Sequence, residues 1–483
     1  MIVDGIFESI NGFLGSIFFF DVLFGSIEGT ALPFIVAWLI VAGVWLTVRF
    51  GFINLRMFRH SYRIITGKYK TAEDTGEITP FQSLTTALSA TVGLGNIAGV
   101  AIAISIGGAG ATFWMILAGF LGMTLKFTEV TLSQIYREVR PDGRIMGGGM
   151  QYLSKGFEKK GMKTLGKVLA IFFAIFTIGG SLGAGNAFQT SQAVGIVTEH
   201  IPFFEQNPIV FGLILASIVG LVIIGGIKRI ATTAEKIVPT MVIIYLSASL
   251  WILLVNAAQV PHAIALIFTE AFAPTAVAGG IIGVIVQGFK RASFSSEAGM
   301  GSAAIVHSTA CVKYPVRQGL VALYEPFIDT IIICTITALV IITTGVYEPN
   351  GEFAHLIEAR EGAALTAAAF GSVISWFPLV LSVCIILFAF STMIAWSYYG
   401  ERAWTYLFGE KYTLVYKLIF VSFIVIASVT SAKVLLDFSD MLFFAMALPN
   451  LIALYLLQGE VKEHLKSYLE KLKSGELDKE AIR

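Results

Sequence analysis

The 483-residue chain is 56% hydrophobic and only 13% charged, a balance foreign to soluble globular domains and ordinary for an integral membrane protein. Its 33 basic and 32 acidic residues leave a net charge of +1, so nothing in the overall charge calls for nucleic acid as a partner. Three cysteines without a pairing spacing and six scattered histidines argue against a disulfide framework or a metal centre, and no nucleophile elbow or clustered Ser/His/Asp set points to an enzyme with a cofactor.

The N-terminus carries Asp4 and Glu8 where a secretory signal would be basic, so the first span is expected to be retained. The aromatic stretch from Ile6 to Phe24, broken by Glu8, Asn11 and Asp21, reads as an interfacial helix. Beyond it, apolar runs of about 20 residues match a hydrocarbon layer about 30 Å thick, the signature of helices and not of barrel strands. Spans are predicted at 33–50, 82–106, 111–135, 165–197, 208–226, 233–256, 277–305, 317–345, 364–395, 413–432 and 436–457, eleven in all.

Alternate connections hold the basic residues: Arg56 to Lys70, Arg137 to Lys163, Lys228 to Lys236, Lys313 with Arg317, and Arg402 with Lys411. Those loops belong on the cytoplasmic side, which places the N-terminus outside and the C-terminus inside a cell membrane. The tail, rich in Glu and Lys, reads as a solvated amphipathic helix.

The second span is interrupted by Ala90-Thr91-Val92-Gly93-Leu94-Gly95-Asn96. Two glycines and an amide there free backbone groups that hydrocarbon cannot satisfy, which marks a binding site. The seventh span carries Lys290, Arg291 and Glu297 between Gly288 and Gly299, and residues 277–311 as one helix would run about 50 Å, too long for a single crossing. A discontinuity is therefore expected near 290–299, with the basic pair facing protein or water and Glu297 pairing Lys290 or Arg291 to brace the bend.

Two broken helices five spans apart, entering from opposite sides, predict an inverted five-plus-five repeat with one additional N-terminal span. The units are then 1–81, 82–256, 257–458 and a charged tail, 459–483. Half-helix ends of this kind offer N–H groups to a carboxylate and carbonyls to a cation or ammonium group, as a zwitterion requires. Glu325 and Asp329 on span eight are ionisable candidates, Asp329 as a proton site, whereas Lys126 and Glu129 near a cytoplasmic end need only a local i, i+3 pair.

At these segments the chain resembles the alanine or glycine:cation symporter family, a branch of the LeuT-type fold. The resemblance runs from the first span to the last. It is carried by Gly-x-Gly-Asn-Ile-Ala-Gly-Val at Gly93 to Val100, Gly-Gly-x-Gly-Ala-x-Phe-Trp at Gly107 to Trp114 and Gly-Asn-x-x-Gln-Thr at Gly185 to Thr190. Two longer matches are Lys-Arg-x-x-Phe-Ser-x-Glu-Ala-Gly-x-Gly-Ser-Ala at Lys290 to Ala303 and Ser-Thr-x-x-x-Trp-Ser-Tyr-Tyr-Gly-Glu at Ser391 to Glu401.

The resemblance implies an all-α polytopic protein that takes up small neutral amino acids, alanine and glycine, with sodium as the coupling ion and by alternating access. It implies a substrate pocket at Leu94, Gly95, Asn96, Gln189, Phe294, Ser295 and Trp396, and a sodium site at Val92, Ser391 and Thr392, in a protein working as a monomer in the lipid bilayer. Two residues depart from the family pattern: Leu94 stands where Thr is frequent, and Ser296 where Asn is frequent. A proton-coupled transporter of the same fold is the alternative, and a channel a more distant one, since paired broken helices favour alternating access over a continuous pore.

Overall fold

A computed structural model describes residues 2–26, 31–141, 143–272 and 280–481. Helices make up most of it, and the one sheet among the described residues is a small hairpin of Glu138–Val139 and Ile145–Met146. Six stretches are long and apolar enough to cross a membrane: Ala111–Tyr136, Lys163–Glu199, Gly226–Val255, Pro315–Thr344, Phe377–Phe408 and Ala432–Lys473. Pro80–Thr91 and Gly95–Gly107 form a further span bent by 52° at its break, and Phe34–Arg49, Pro208–Ile223, Val260–Phe272 and Gly362–Gly371 are shorter apolar helices. Large apolar side chains such as Leu221, Ile224, Trp251 and Leu254 are exposed, which suits a surface bathed in lipid tails.

Local chemistry explains several boundaries. The broken span starts at a capping box in which Gln82 N–H donates to Thr79 Oγ1 and Thr79 N–H donates to Gln82 Oε1, both at 3.1 Å, followed by Pro80 at a position where its missing N–H costs nothing. The apolar run at 364–395 is two helices, Gly362–Gly371 and Phe377–Phe408, with a turn between them and Pro378 in the first turn of the second. Hydropathy misses this division because the turn is itself largely apolar. The N-terminal segment is a helix, Ile2–Phe18, that sets Phe7 edge-on against Phe438 at 4.6 Å and leaves Phe13 and Ile17 exposed.

The charged tail is not simply solvated. Ala447–Lys473 runs unbroken from the core, and the short helix Glu476–Glu480 folds back onto the face formed by the loop before the first broken helix and the loop after the second break. There Leu477 is fully buried, Tyr314 Oη donates to both carboxylate oxygens of Glu480 at 3.0 and 2.9 Å, Lys313 pairs with Glu480 at 3.1 Å and Lys68 with Asp478 at 3.5 Å.

Candidate functional site

The first break takes its shape from close approach. Val92 leaves helical geometry (φ −75°, ψ 82°), and a Cβ on Gly93 would lie 2.2 Å from Thr392 Oγ1, so only glycine lets the two helices meet there. A Cβ on Gly95 would lie 3.1 Å from the Cα of Ser295, at the end of the other broken helix. The chain resumes as a π-helical turn, Gly95–Gly99, followed by the helix Val100–Gly107. The backbone donors released by the break find side chains: Gly93 N–H donates to Asn96 Oδ1 at 2.9 Å, and Leu94 N–H to Gln189 Oε1 at 3.3 Å. Gln189 is placed by a second π-helical turn, Gly183–Ala187, and anchored by its own Nε2, which donates to the Ala184 carbonyl at 3.0 Å.

The second break lies further along than the basic pair. Gly280–Ser296 is a continuous helix that contains Lys290 and Arg291, and the discontinuity begins at Glu297 (φ +56°), runs through Gly299 (φ +90°) and Gly301 (φ +77°), and ends where Ala303–His307 starts. Glycine at 299 and 301 supplies backbone angles that other residues avoid, and Glu297 adopts such an angle without being glycine. Glu297 does not brace Lys290 or Arg291. Both cations reach Asp440 on Ala432–Ala445, Lys290 Nζ at 2.7 Å from Oδ2 and Arg291 Nη2 hydrogen-bonded to the same oxygen, while the Arg291 guanidinium lies 5.2 Å from the Phe294 ring centre. Arg291 and Asp440 are 2% and 1% exposed, so the pair is compensated inside protein, as basic residues at membrane depth require.

Asp329 joins the two breaks. Its carboxylate accepts from Asn96 Nδ2 at 2.6 Å, Ser295 Oγ at 2.9 Å and Thr330 Oγ1 at 2.7 Å, and Asn96 also donates to the Asp329 carbonyl at 3.0 Å. Cys334 Sγ lies against the same atoms, 3.5 Å from Asn96 Nδ2 and 3.4 Å from Ser295 Oγ. Among the described residues no Lys or Arg forms an ion pair with Asp329, which leaves a buried carboxyl group held by hydrogen bonds at the meeting point of two half-helices. The chain pattern marked Asp329 as an ionisable residue on a span but did not reveal this placement.

Aromatic rings wall one side. Phe294 packs edge-on to Phe188 at 5.0 Å and against Phe443 at 5.1 Å, and Phe443 in turn touches Trp396 at 5.9 Å. Trp396 sits over Gly185, where a Cβ would lie 2.3 Å from its own Cβ. Phe443 was absent from the expected pocket, because one phenylalanine in an apolar helix carries no distinguishing signal.

On the other side of the first break, Ser89 Oγ donates to the Ser391 carbonyl at 2.9 Å and Thr392 Oγ1 donates to the Ser89 carbonyl at 3.2 Å, which stitches the broken helix to Phe377–Phe408. Ser391 Oγ donates to the Phe388 carbonyl at 3.0 Å. The structure thus brings Leu94, Gly95, Asn96, Gln189, Phe294, Ser295 and Trp396 around one buried seam, with Val92, Ser391 and Thr392 beside it. Lys126 and Glu129 are not merely a local i, i+3 pair at a helix end: both are fully buried, and Lys126 Nζ pairs with Glu325 on another helix at 3.0 Å.

Comparison with known proteins identifies the family. The model of the sodium:alanine symporter family matches residues 19–482. The chain is 38% identical to the sodium/alanine symporter AgcS of Methanococcus maripaludis over 439 residues, 91% of this chain and 94% of that protein. It is 35% identical to a probable sodium/glutamine symporter, GlnT, of Bacillus subtilis over 436 residues, covering 90% and 87% of the two. In fold it is similar to the crystal structure of MhsT in complex with L-phenylalanine, a LeuT-type protein, with a TM-score of 0.51 and 15% identity over 79% of this chain and 89% of that one. A family match across nearly the whole length, together with these relatives, establishes that the chain belongs to the sodium:alanine symporter family.

Proposed function

We propose that this protein takes up a small neutral amino acid, alanine or glycine, with sodium across the cell membrane by alternating access. Family membership makes it a sodium-coupled amino-acid symporter and not an enzyme; the substrate, the sites and the movement are the proposal. The observation that carries it is the seam where Gly95 backs onto Ser295 and Asn96 reaches Asp329, because two broken helices then present polar groups to one buried place.

Around that seam, the half-helix end at Leu94, Gly95 and Asn96 offers its dipole and the Gly95 N–H to the carboxylate of a zwitterion, with the Leu94 N–H held by Gln189 and the Asn96 amide by Asp329, and the Asp329 carboxylate with Ser295 Oγ offers its amino group a counter-charge. Gln189 fixes the break. Phe294 and Trp396, with Phe443, put large rings beside the seam, which favours the short side chains of alanine or glycine over larger amino acids. Val92, Ser391 and Thr392 supply carbonyl and hydroxyl oxygens, hard ligands suited to sodium. Eleven crossings, repeat units at 82–256 and 257–458, an outer N-terminus, an inner C-terminus and a monomer complete the reading.

Proteoliposomes with an inward sodium gradient should concentrate labelled alanine or glycine above equilibrium. Equal concentrative uptake in choline medium without a pH gradient would assign the coupling to another ion. Uptake that stops at equilibration under every ion gradient would assign a channel.

A further inference from the structure

Below the second break lies a group of ionisable side chains to which symport assigns no role. Lys126 and Glu129 come from Ala111–Tyr136, Glu297 from the break, His307 from the short helix after it and Glu325 from the Pro315–Thr344 stretch, and all five are buried. Glu325 is matched: Lys126 Nζ lies 3.0 Å from one oxygen and His307 Nε2 contacts the other. Gln318 Nε2 and Ser83 Oγ contact His307 Nδ1 at 2.6 and 3.0 Å, so Lys126 and His307 are both engaged around Glu325.

Among the described residues neither Glu129 nor Glu297 has an ion-pair partner, and Lys126, the cation that faces both, is paired with Glu325. Glu129 accepts from Asn450 Nδ2 at 2.7 Å and Glu297 from Ser302 Oγ, and the other titratable groups facing them are the phenols of Tyr152 and Tyr399. An ionised carboxylate buried without counter-charge costs several kcal/mol, and the ordinary escape is to take up a proton. Of the two, Glu297 sits in the segment that a change of access must move. Asn450 ties that segment to the rigid helix by also donating to the Gly299 carbonyl at 2.8 Å, and Gly301 lies so close that a Cβ there would be 2.8 Å from Tyr152 Oη.

We propose that Glu297 binds a proton while the inner half is closed and returns it to cytoplasmic water when the unwound segment opens, a proton site separate from the sodium and amino-acid sites. The proton is taken from and given back to the same side, so it governs each return to the closed state without entering the transport stoichiometry. Raising the cytoplasmic pH withdraws the proton and slows that return.

The inference rests on the symport reading, and its test separates the two. Sodium-driven alanine uptake is measured in oriented proteoliposomes at fixed outer pH while the pH on the cytoplasmic face is varied from about 6 to 9. The wild type should slow with rising inner pH, approaching a tenfold fall per unit at the alkaline end, as one proton requires. Glu297→Gln carries a neutral amide in place of the protonated acid and should lose the dependence, whereas Ser302→Ala, which removes a donor from the ionised form, should move the midpoint to higher pH. Glu129→Gln should keep the wild-type slope. A flat wild-type profile, an unchanged slope in Glu297→Gln, an unmoved midpoint in Ser302→Ala, or flattening in Glu129→Gln would each overturn the proposal. Absence of sodium-driven uptake at every pH would instead defeat the symport reading.

Discussion

Gln189 acts on the first break from both ends of its amide, taking the Leu94 N–H on Oε1 and giving Nε2 to the Ala184 carbonyl. Gln189→Ala leaves a buried N–H without a partner and is expected to weaken alanine binding by about 1–3 kcal/mol, read by titration of purified protein. Wild-type affinity in a well-folded variant would return Gln189 to the structural background. Phe294→Ala should enlarge the pocket beside Phe188 and Phe443 and raise uptake of larger neutral amino acids relative to glycine; an unchanged ranking in competition assays would remove Phe294 from the wall. The first break was legible in the chain, because two glycines and an amide fall together inside one apolar run. Their partners were not, since Asn96 and Asp329 stand 233 residues apart and only the fold brings them together.

At the scale of helices, the second broken span is held to Ala432–Ala445 by Asp440, which answers both Lys290 and Arg291. Asp440→Asn keeps the shape and removes the charge, leaving two cations at membrane depth without their ion-pair partner. Its thermal unfolding midpoint in detergent should fall well below the wild type, reflecting a loss of about 3–5 kcal/mol, the range for a broken buried pair. An unchanged midpoint would mean that water or lipid headgroups already serve the two cations.

Hydropathy made the existence of the helices plain, since a run of about 20 apolar residues is the length a helix needs to cross the hydrocarbon layer. It could not place the turn between Gly371 and Phe377, because a turn buried among apolar neighbours needs no polar residue. Nor could it choose between Glu297 and Asp440 as the partner of the basic pair: Glu297 is nearer in sequence, and a helix that continues to Ser296 carries the two apart. The tail misled for a similar reason, as its buried anchors, Val461, Leu465, Tyr468 and Leu477, stand singly among charges.

For the whole molecule, the proposed sodium and amino-acid sites lie on two sides of one broken helix, with Thr392 against Gly93 and Gln189 against Leu94. Ligands that stabilise the same bend must strengthen each other reciprocally, and a typical coupling is about 1–3 kcal/mol. The most direct measurement is a two-ligand titration of purified wild type and Thr392→Ala, with alanine affinity followed as sodium is raised. Wild-type affinity should rise about 5- to 150-fold with sodium. In Thr392→Ala the same rise should need more sodium and then largely recover at saturation. Alanine affinity indifferent to sodium in the wild type, or an identical sodium dependence in Thr392→Ala, would contradict a shared site built on the first break.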